Sequence, residues 1–145
     1  MTSFMLHHLI YVSRAQKLMK PSDNLSLLAA SKEYNSTHQI SGVLVYKSKT
    51  FVQLIEGPRR EVQNLYRKIR KDNRHTEIQT LLNEPTYNRY YPEPGLEFHA
   101  LDNTPQSALP PYSKSLNSDY DISDFTQHPE HALRLLVSFR DMKTC

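Results

Sequence analysis

The chain has 145 residues, of which 38% are hydrophobic and 23% charged, a composition that suits one domain with a packed core and excludes a disordered tail. Eighteen basic residues against fifteen acidic ones leave a net charge of +3, without the concentrated basic face of a dedicated nucleic-acid binder. The one cysteine, Cys145, excludes a disulfide framework or a Cys-based zinc site within the chain, and three glycines leave no Gly-rich phosphate loop. No apolar run approaches the ~20 residues that cross a bilayer, and the first residues do not read as a secretory signal. A reducing, cytoplasmic location is therefore expected, with no membrane and no nucleic acid among the partners.

Residues 6–13 (LHHLIYVS) predict a strand, with Leu6, Ile10 and Val12 on one side and Leu9 and Tyr11 on the other. Pro21 and Ser22 open a helix, with Ser22 as N-cap and Leu25, Leu28 and Ala29 as its apolar stripe, fading near Asn35. Residues 39–47 (QISGVLVYK) and 50–56 (TFVQLIE) predict two strands joined by a tight hairpin at Ser48 and Lys49, although the usual Asn-Gly signal is missing. After Gly57 and Pro58, residues 59–72 carry Val62, Leu65, Tyr66 and Ile69 at i, i+3, i+4, i+7, a one-sided helix. Residues 77–84 and 96–101 predict a fourth and a fifth strand, separated by a proline-rich loop over residues 85–95.

The order βαββαββ predicts an α+β, ferredoxin-like fold: a mixed five-stranded sheet with two helices on one face. The strands are apolar on both sides, as Phe51 and Ile55 against Val52 and Leu54 show, so the second face also requires cover. A helix over residues 129–142, with Pro129 in its first turn and Leu133, Leu136, Val137 and Arg140 on one stripe, is the expected C-terminal helical cap. A second short helix within residues 105–120 is also allowed. The chain thus divides into a core unit, residues 1–104, and an extension, residues 105–145, packed on the sheet.

Polar residues in apolar company point to a site. Gln53 lies between Phe51 and Ile55 on a central strand, and a buried amide must find hydrogen-bond partners. Tyr11, on the adjacent central strand, and Asn35, at the end of the first helix, face the same interior. A phenol and two carboxamides around one slot suit a flat ring system with carbonyl and N–H edges.

Over roughly residues 6–102 the chain resembles the BLUF domain, the flavin-binding blue-light sensor. The resemblance rests on LIYVS (residues 9–13), N-x₄-ISG-x-LVY (residues 35–46), FVQLIEG (residues 51–57) and the helix ending DNRH (residues 72–75). It implies non-covalent FAD, with Tyr11 as donor to the photoexcited flavin and Gln53 as the hydrogen-bond switch between them. Asn35 would bond the ring edge, Lys68 would reach the cofactor, Asp72, Arg74 and His75 match the family's cofactor-binding end of the second helix, and Ile40 and Leu44 would be apolar walls. The family's Trp-x-Met on the fifth strand is replaced by Phe98 and Ala100, and its Asn or His beside the asparagine by Tyr34. The implied function is a photoreceptor that is no enzyme, acting on a downstream signalling protein and self-associating as a homo-oligomer.

Other readings stand beside this one: a flavin-free interaction module of the same fold, and an acylphosphatase-like hydrolase using Arg14, which lacks the Gly-rich turn. The basic run over residues 67–75 reads as a solvated helix face. His128 and His131 have metal-ligand spacing but no evident third ligand, so they read as a surface helix start, with no metal expected. Tyr87, Tyr90 and Tyr91 read equally as a partner surface or as packing beneath the loop.

Overall fold

The computed structural model describes residues 5–17, 21–101 and 122–141. In chain order these form β1 (Leu6–Ala15), α1 (Pro21–Thr37), β2 (Ser41–Lys47), β3 (Thr50–Pro58), α2 (Arg59–Lys71), β4 (His75–Thr86), β5 (Glu97–Ala100), α3 (Ile122–Gln127) and α4 (Pro129–Asp141). The strands make one five-stranded sheet in the order β4-β1-β3-β2-β5, antiparallel except for the β2–β5 pair. The α+β, ferredoxin-like expectation holds. No helix among the described residues is long and apolar enough to cross a membrane.

The two strands richest in apolar residues on both sides, β1 and β3, are the adjacent central pair, because only central strands can cover both faces. On one face Leu9, Tyr11, Ile40 and Ile55 pack with Val62 and Tyr66 of α2, and Leu44 and Phe51 pack beside Leu28 of α1. On the other, Ile10, Val12, Val43, Val52 and Leu54 pack with Phe125 of α3 and Ala132, Leu135, Leu136 and Phe139 of α4. Burying one such side chain removes enough apolar surface to contribute roughly 1.5–3 kcal/mol, so a bare second face would forfeit a large share of the core.

Several sequence expectations shift in detail. Helix α1 starts at Pro21 rather than being capped by Ser22, and runs on to Thr37. Of the expected stripe, Leu28 packs against the core while Ala29 is exposed. Helix α4 is rotated from its expected stripe: Leu136 is buried, but Ala132, Leu135 and Phe139 replace Val137 and Arg140. Two overlapping helical stripes exist in that segment, and the one ending on Phe139 buries an aromatic ring where the other would bury a guanidinium. Phe139 stacks on His99 of β5 at 4.4 Å between centroids. The short helix allowed within residues 105–120 lies outside the described residues, as does Cys145.

The hairpin at Ser48 and Lys49 forms, and both residues have positive φ, 50° and 65°, the left-handed pair that a type I′ turn needs. Strand β4 is an edge strand, which is why Pro85 is tolerated within it, opposite His7. Gly42 in β2 has φ 152°, and a Cβ there would lie 1.9 Å from the carbonyl oxygen of Leu54. The close approach of β2 to β3 thus requires glycine.

The loop after β4 is tied down by Glu56, which is 0% exposed. Its carboxylate accepts the N–H groups of Tyr90 and Tyr91 at 2.8 and 2.9 Å. Burial pushes the Glu56 carboxyl above the usual glutamate range, opposed by those two donors and by nearby His8 and Arg89. Arg89 adds bonds to the Ser41 hydroxyl and the Gln39 carbonyl at 2.8 and 2.7 Å. The Tyr91 hydroxyl then donates to the Leu136 carbonyl of α4, and Arg140 donates to the Tyr90 carbonyl at 3.2 Å. The tyrosine trio is therefore split: Tyr91 is packed under the loop, whereas Tyr87 is 85% exposed.

Two stability predictions follow from these contacts. Gly42→Ala should lose more than about 2 kcal/mol in urea denaturation, since the clash is with backbone and no rotamer relieves it. Glu56→Ala should lose about 2–4 kcal/mol, because two N–H groups lose their acceptor and a void opens; an unchanged midpoint would show that the loop is held by other contacts.

Candidate functional site

A cleft of about 930 Å³ opens between α1, α2 and the sheet. Its floor is formed by Tyr11 of β1, Leu44 of β2 and Phe51 and Gln53 of β3; its sides by Tyr34 and Asn35 of α1 and by Leu65, Lys68 and Ile69 of α2. The segment leaving α2 supplies Asp72, Arg74 and His75 at the rim. The volume lies in the range of ligand pockets, ~300–1,000 Å³.

Tyr11 and Gln53 are direct cross-strand partners in the β1–β3 register. Their side chains therefore emerge side by side on one face. The Tyr11 hydroxyl donates to Gln53 Oε1 at 2.5 Å, and both residues are buried. Burial drives the Tyr11 phenol far above the ordinary tyrosine value, with Tyr66 and Asp72 adding to the rise, so the oxygen keeps its proton. With Oε1 committed to that proton, the N–H₂ end is what Gln53 can offer to a ligand in the cleft.

Asn35 is 2% exposed, and its Nδ2 donates to the Gly95 carbonyl at 3.1 Å, joining the end of α1 to the start of β5. Its own carbonyl accepts the Ile40 N–H at 2.8 Å, so one residue ends the helix and lines the cleft. Lys68 lies with Nζ 4.4 Å from the Tyr34 ring centroid, a cation–π contact, while His38 stacks on that ring at 3.9 Å. Tyr34, which departs from the family pattern, is thus a wall residue held between a cation and an imidazole.

At the rim, Arg74 Nε bonds both Asp72 oxygens at 2.9 Å, and this pairing holds the Asp72 carboxyl below the usual range. His75 Nε2 faces the Ile69 carbonyl at 2.7 Å, and a carbonyl only accepts, so that nitrogen carries a proton. Its Nδ1 meets Ser13 Oγ at 2.8 Å. Both ring nitrogens are thus engaged in fastening the end of α2 to β1, and only the ring itself is presented to the cleft.

Of the residues singled out in the sequence, Tyr11, Asn35, Leu44, Gln53, Lys68, Asp72, Arg74 and His75 all line this one cleft. Ile40 does not: it is 0% exposed and packs behind the wall with Leu9 and Ile55. Arg14 is exposed at the end of β1 and pairs with Glu77 at 3.4 Å, away from any phosphate cradle. The basic run disperses: Arg67 bonds Asn64, Arg70 lies over the Tyr66 ring, and Arg74 pairs with Asp72. Sequence reasoning missed Leu65, Ile69 and Leu96 as lining residues. The first two were legible as the rim of the α2 stripe; Leu96 carried no signal beyond being apolar.

Comparison with known proteins agrees with this geometry. Residues 6–96 match the family model described as "BLUF: Sensors of blue-light using FAD". The photoactivated adenylate cyclase subunit beta of Euglena gracilis is 37% identical over 84 residues, 58% of this chain and 10% of that protein. The chain thus spans about a tenth of the length of the curated relatives it matches. The solved structure of BlrB, a BLUF protein in its dark state, superposes with a TM-score of 0.72 at 29% identity, covering 95% of this chain and 99% of that one. BlsA in its photo-activated state shares the fold, with a TM-score of 0.73 at 21% identity over 92% of this chain and 95% of its own. With a phenol–amide pair at the floor of an open cleft and a family match across most of the sheet, this chain belongs to the BLUF family of flavin-using blue-light sensors.

Proposed function

We propose that this chain is a blue-light photoreceptor whose cofactor is FAD, held non-covalently in the cleft, and whose switch is the Tyr11–Gln53 pair. The observation that carries the reading is the 2.5 Å hydrogen bond from the Tyr11 hydroxyl to Gln53 Oε1 at the cleft floor. The donor set suits a flavin: Gln53 and Asn35 are carboxamides matched to a ring edge with alternating acceptors and N–H groups. Leu44, Phe51, Leu65 and Ile69 supply flat apolar walls. Lys68, Arg74 and Lys17 are cations that line the same cleft and suit the phosphates that distinguish FAD from a bare ring.

When bound, the flavin supplies light absorption and a site for electron acceptance. The chain supplies everything else. Tyr11, kept protonated by burial, is a donor of an electron and then of the proton it shares with Gln53. Gln53 is the switch because its two amide ends are nearly the same size: turning the group exchanges donor for acceptor toward the cleft without a change of volume. Each exchanged bond is worth only about 1 kcal/mol net. Such a bias shifts an existing equilibrium and cannot create one, so the responding element must already have two arrangements.

Residues 1–104 form the sensory unit in this reading, and residues 105–145 the extension through which the signal leaves. The output is contact with a downstream signalling protein in the cytoplasm, and the receptor self-associates as a homo-oligomer. The light-regulated cyclases among its relatives, of which this chain matches only a part, support coupling of such a sensor to an output activity outside it.

Purified protein should be yellow, and its flavin absorption should redden reversibly under blue light. Tyr11→Phe should retain the flavin but lose that reddening entirely, and Gln53→Leu should behave alike. A wild-type light-induced shift in either variant would remove the pair from the switch.

A further inference from the structure

The first turn of α4 carries a cluster that the photosensory reading leaves unused. His128, Glu130 and His131 each offer one ligand atom, and these atoms all lie within 4.8 Å of one another. The third ligand that the His128–His131 spacing lacked in the sequence is Glu130. We propose that these three side chains bind one borderline divalent transition-metal ion, of the zinc class, at the corner where α3 meets α4.

One edge of the cluster is close to a bound geometry. A tetrahedral zinc ion with bonds of ~2.0–2.2 Å sets neighbouring ligand atoms about 3.3 Å apart. His128 Nδ1 and Glu130 Oε1 are already 3.5 Å apart. The His128 and His131 rings are stacked, 4.8 Å between centroids and 23° from parallel, which keeps their nitrogens within the same cluster. The backbone is in place beforehand: Pro129 fixes φ between the two helices, and the His131 N–H bonds the His128 carbonyl at 2.9 Å. Side-chain exposures of 51% for His128 and 61% for Glu130 make the ligands reachable and spare them a desolvation cost.

Electrostatics narrows the ion. The positive end of a helix opposes a cation, and the Glu130 carboxylate beside it offsets that field. Two imidazoles with one carboxylate favour zinc, copper or nickel over magnesium or calcium, which prefer all-oxygen ligands. Three protein ligands leave a fourth position to water. The Glu130 carboxylate lies close enough to interact with both imidazoles, and exposed charge pairs of that kind contribute little by themselves. The bound ion would tie the α3–α4 corner together, and these two helices bury Phe125, Leu135 and Phe139 against the sheet.

The test uses the full chain, stripped with EDTA, dialysed and titrated with zinc chloride by calorimetry. One saturable equivalent is expected, accompanied by a rise in Tm, with magnesium chloride giving no binding heat. His131→Ala should weaken binding at least ~10-fold, the lower bound seen even when a supporting residue behind a ligand is lost. His128→Ala with His131→Ala together should remove the equivalent and the Tm rise, while flavin absorption stays unchanged as the check on folding. A wild-type chain that shows no saturable zinc binding overturns the proposal. So does an isotherm unaltered in the double variant, which would assign the ion to others among the seven histidines or to Cys145.

Discussion

Everything in this molecule turns on placing two polar side chains in the middle of an apolar sheet. Tyr11 and Gln53 occupy directly opposed positions on the two central strands, where a phenol or an amide without a partner costs several kcal/mol. Each satisfies the other, and the single proton between them also sets the amide's orientation. The pair is therefore stable only in register. A slip of one residue in β1 against β3 would send Tyr11 to the opposite face, among Val12, Val52 and Leu54, and leave Gln53 without its donor. The apolar residues on both faces that fix the register thus fix the donor and acceptor geometry at the cleft floor.

An open cleft on one face of the sheet places its own demand on the other. Helices α1 and α2 are held apart along the cleft, so the first face is only partly filled, and a larger share of the core must come from the second. Residues of α3 and α4 provide it, with Phe125, Leu135, Leu136 and Phe139 nearly inaccessible. Glu56 joins the two sides of this arrangement. It sits three residues along β3 from Gln53, and its carboxylate holds the Tyr90 and Tyr91 N–H groups, whose residues in turn bond α4. Gly95, at the far end of the same loop, accepts from Asn35 in the cleft wall. The loop between β4 and β5 is thus tied at one end to the cleft and at the other to the C-terminal helices.

What could be read beforehand follows from how local each determinant is. The α2 stripe was legible because Val62 and Tyr66 face a dry core, so periodicity and burial coincide. The inner side of helix α1, with Ser31, Tyr34 and Asn35, faces the cleft rather than a closed core. A helix lining an open cleft mixes polar residues such as Ser31 and Asn35 with apolar ones such as Leu27 and Ala30, and so loses the apolar period that would announce it. Tyr11, Gln53 and Asn35 were legible as polar residues in apolar surroundings and through their motif. Glu56 was not: a glutamate closing an apolar strand looks like an ordinary strand end, and its donors lie more than thirty residues away. The phase of α4 was ambiguous for a different reason, since Leu133 and Leu136 against Leu135 and Phe139 offer two stripes of similar strength. The one that carries Phe139 buries an aromatic ring in place of Arg140 and stacks it on His99 of the neighbouring strand.

The departures from the family pattern can be placed in the same physical terms. Phe98 stands where relatives carry a tryptophan, and in the parallel β2–β5 register it lies opposite Leu44, a floor residue of the cleft. It packs in the cluster with Tyr46, Phe51 and Leu96, on the cleft side. A phenyl ring there keeps the apolar contact but has no N–H to offer, so any movement of β5 is coupled to the floor through packing alone. His99, one residue on, faces the opposite side and stacks on Phe139 of α4. A four-residue edge strand therefore packs against floor residues Leu44 and Phe51 with one side chain and against the C-terminal helix with the next. Because successive residues of a strand point to opposite faces, a small shift of β5 is felt on both sides of the sheet at once. That makes the edge strand, rather than the rigid central pair, the part of the sheet best able to respond to a change at the floor without breaking the register that creates the site.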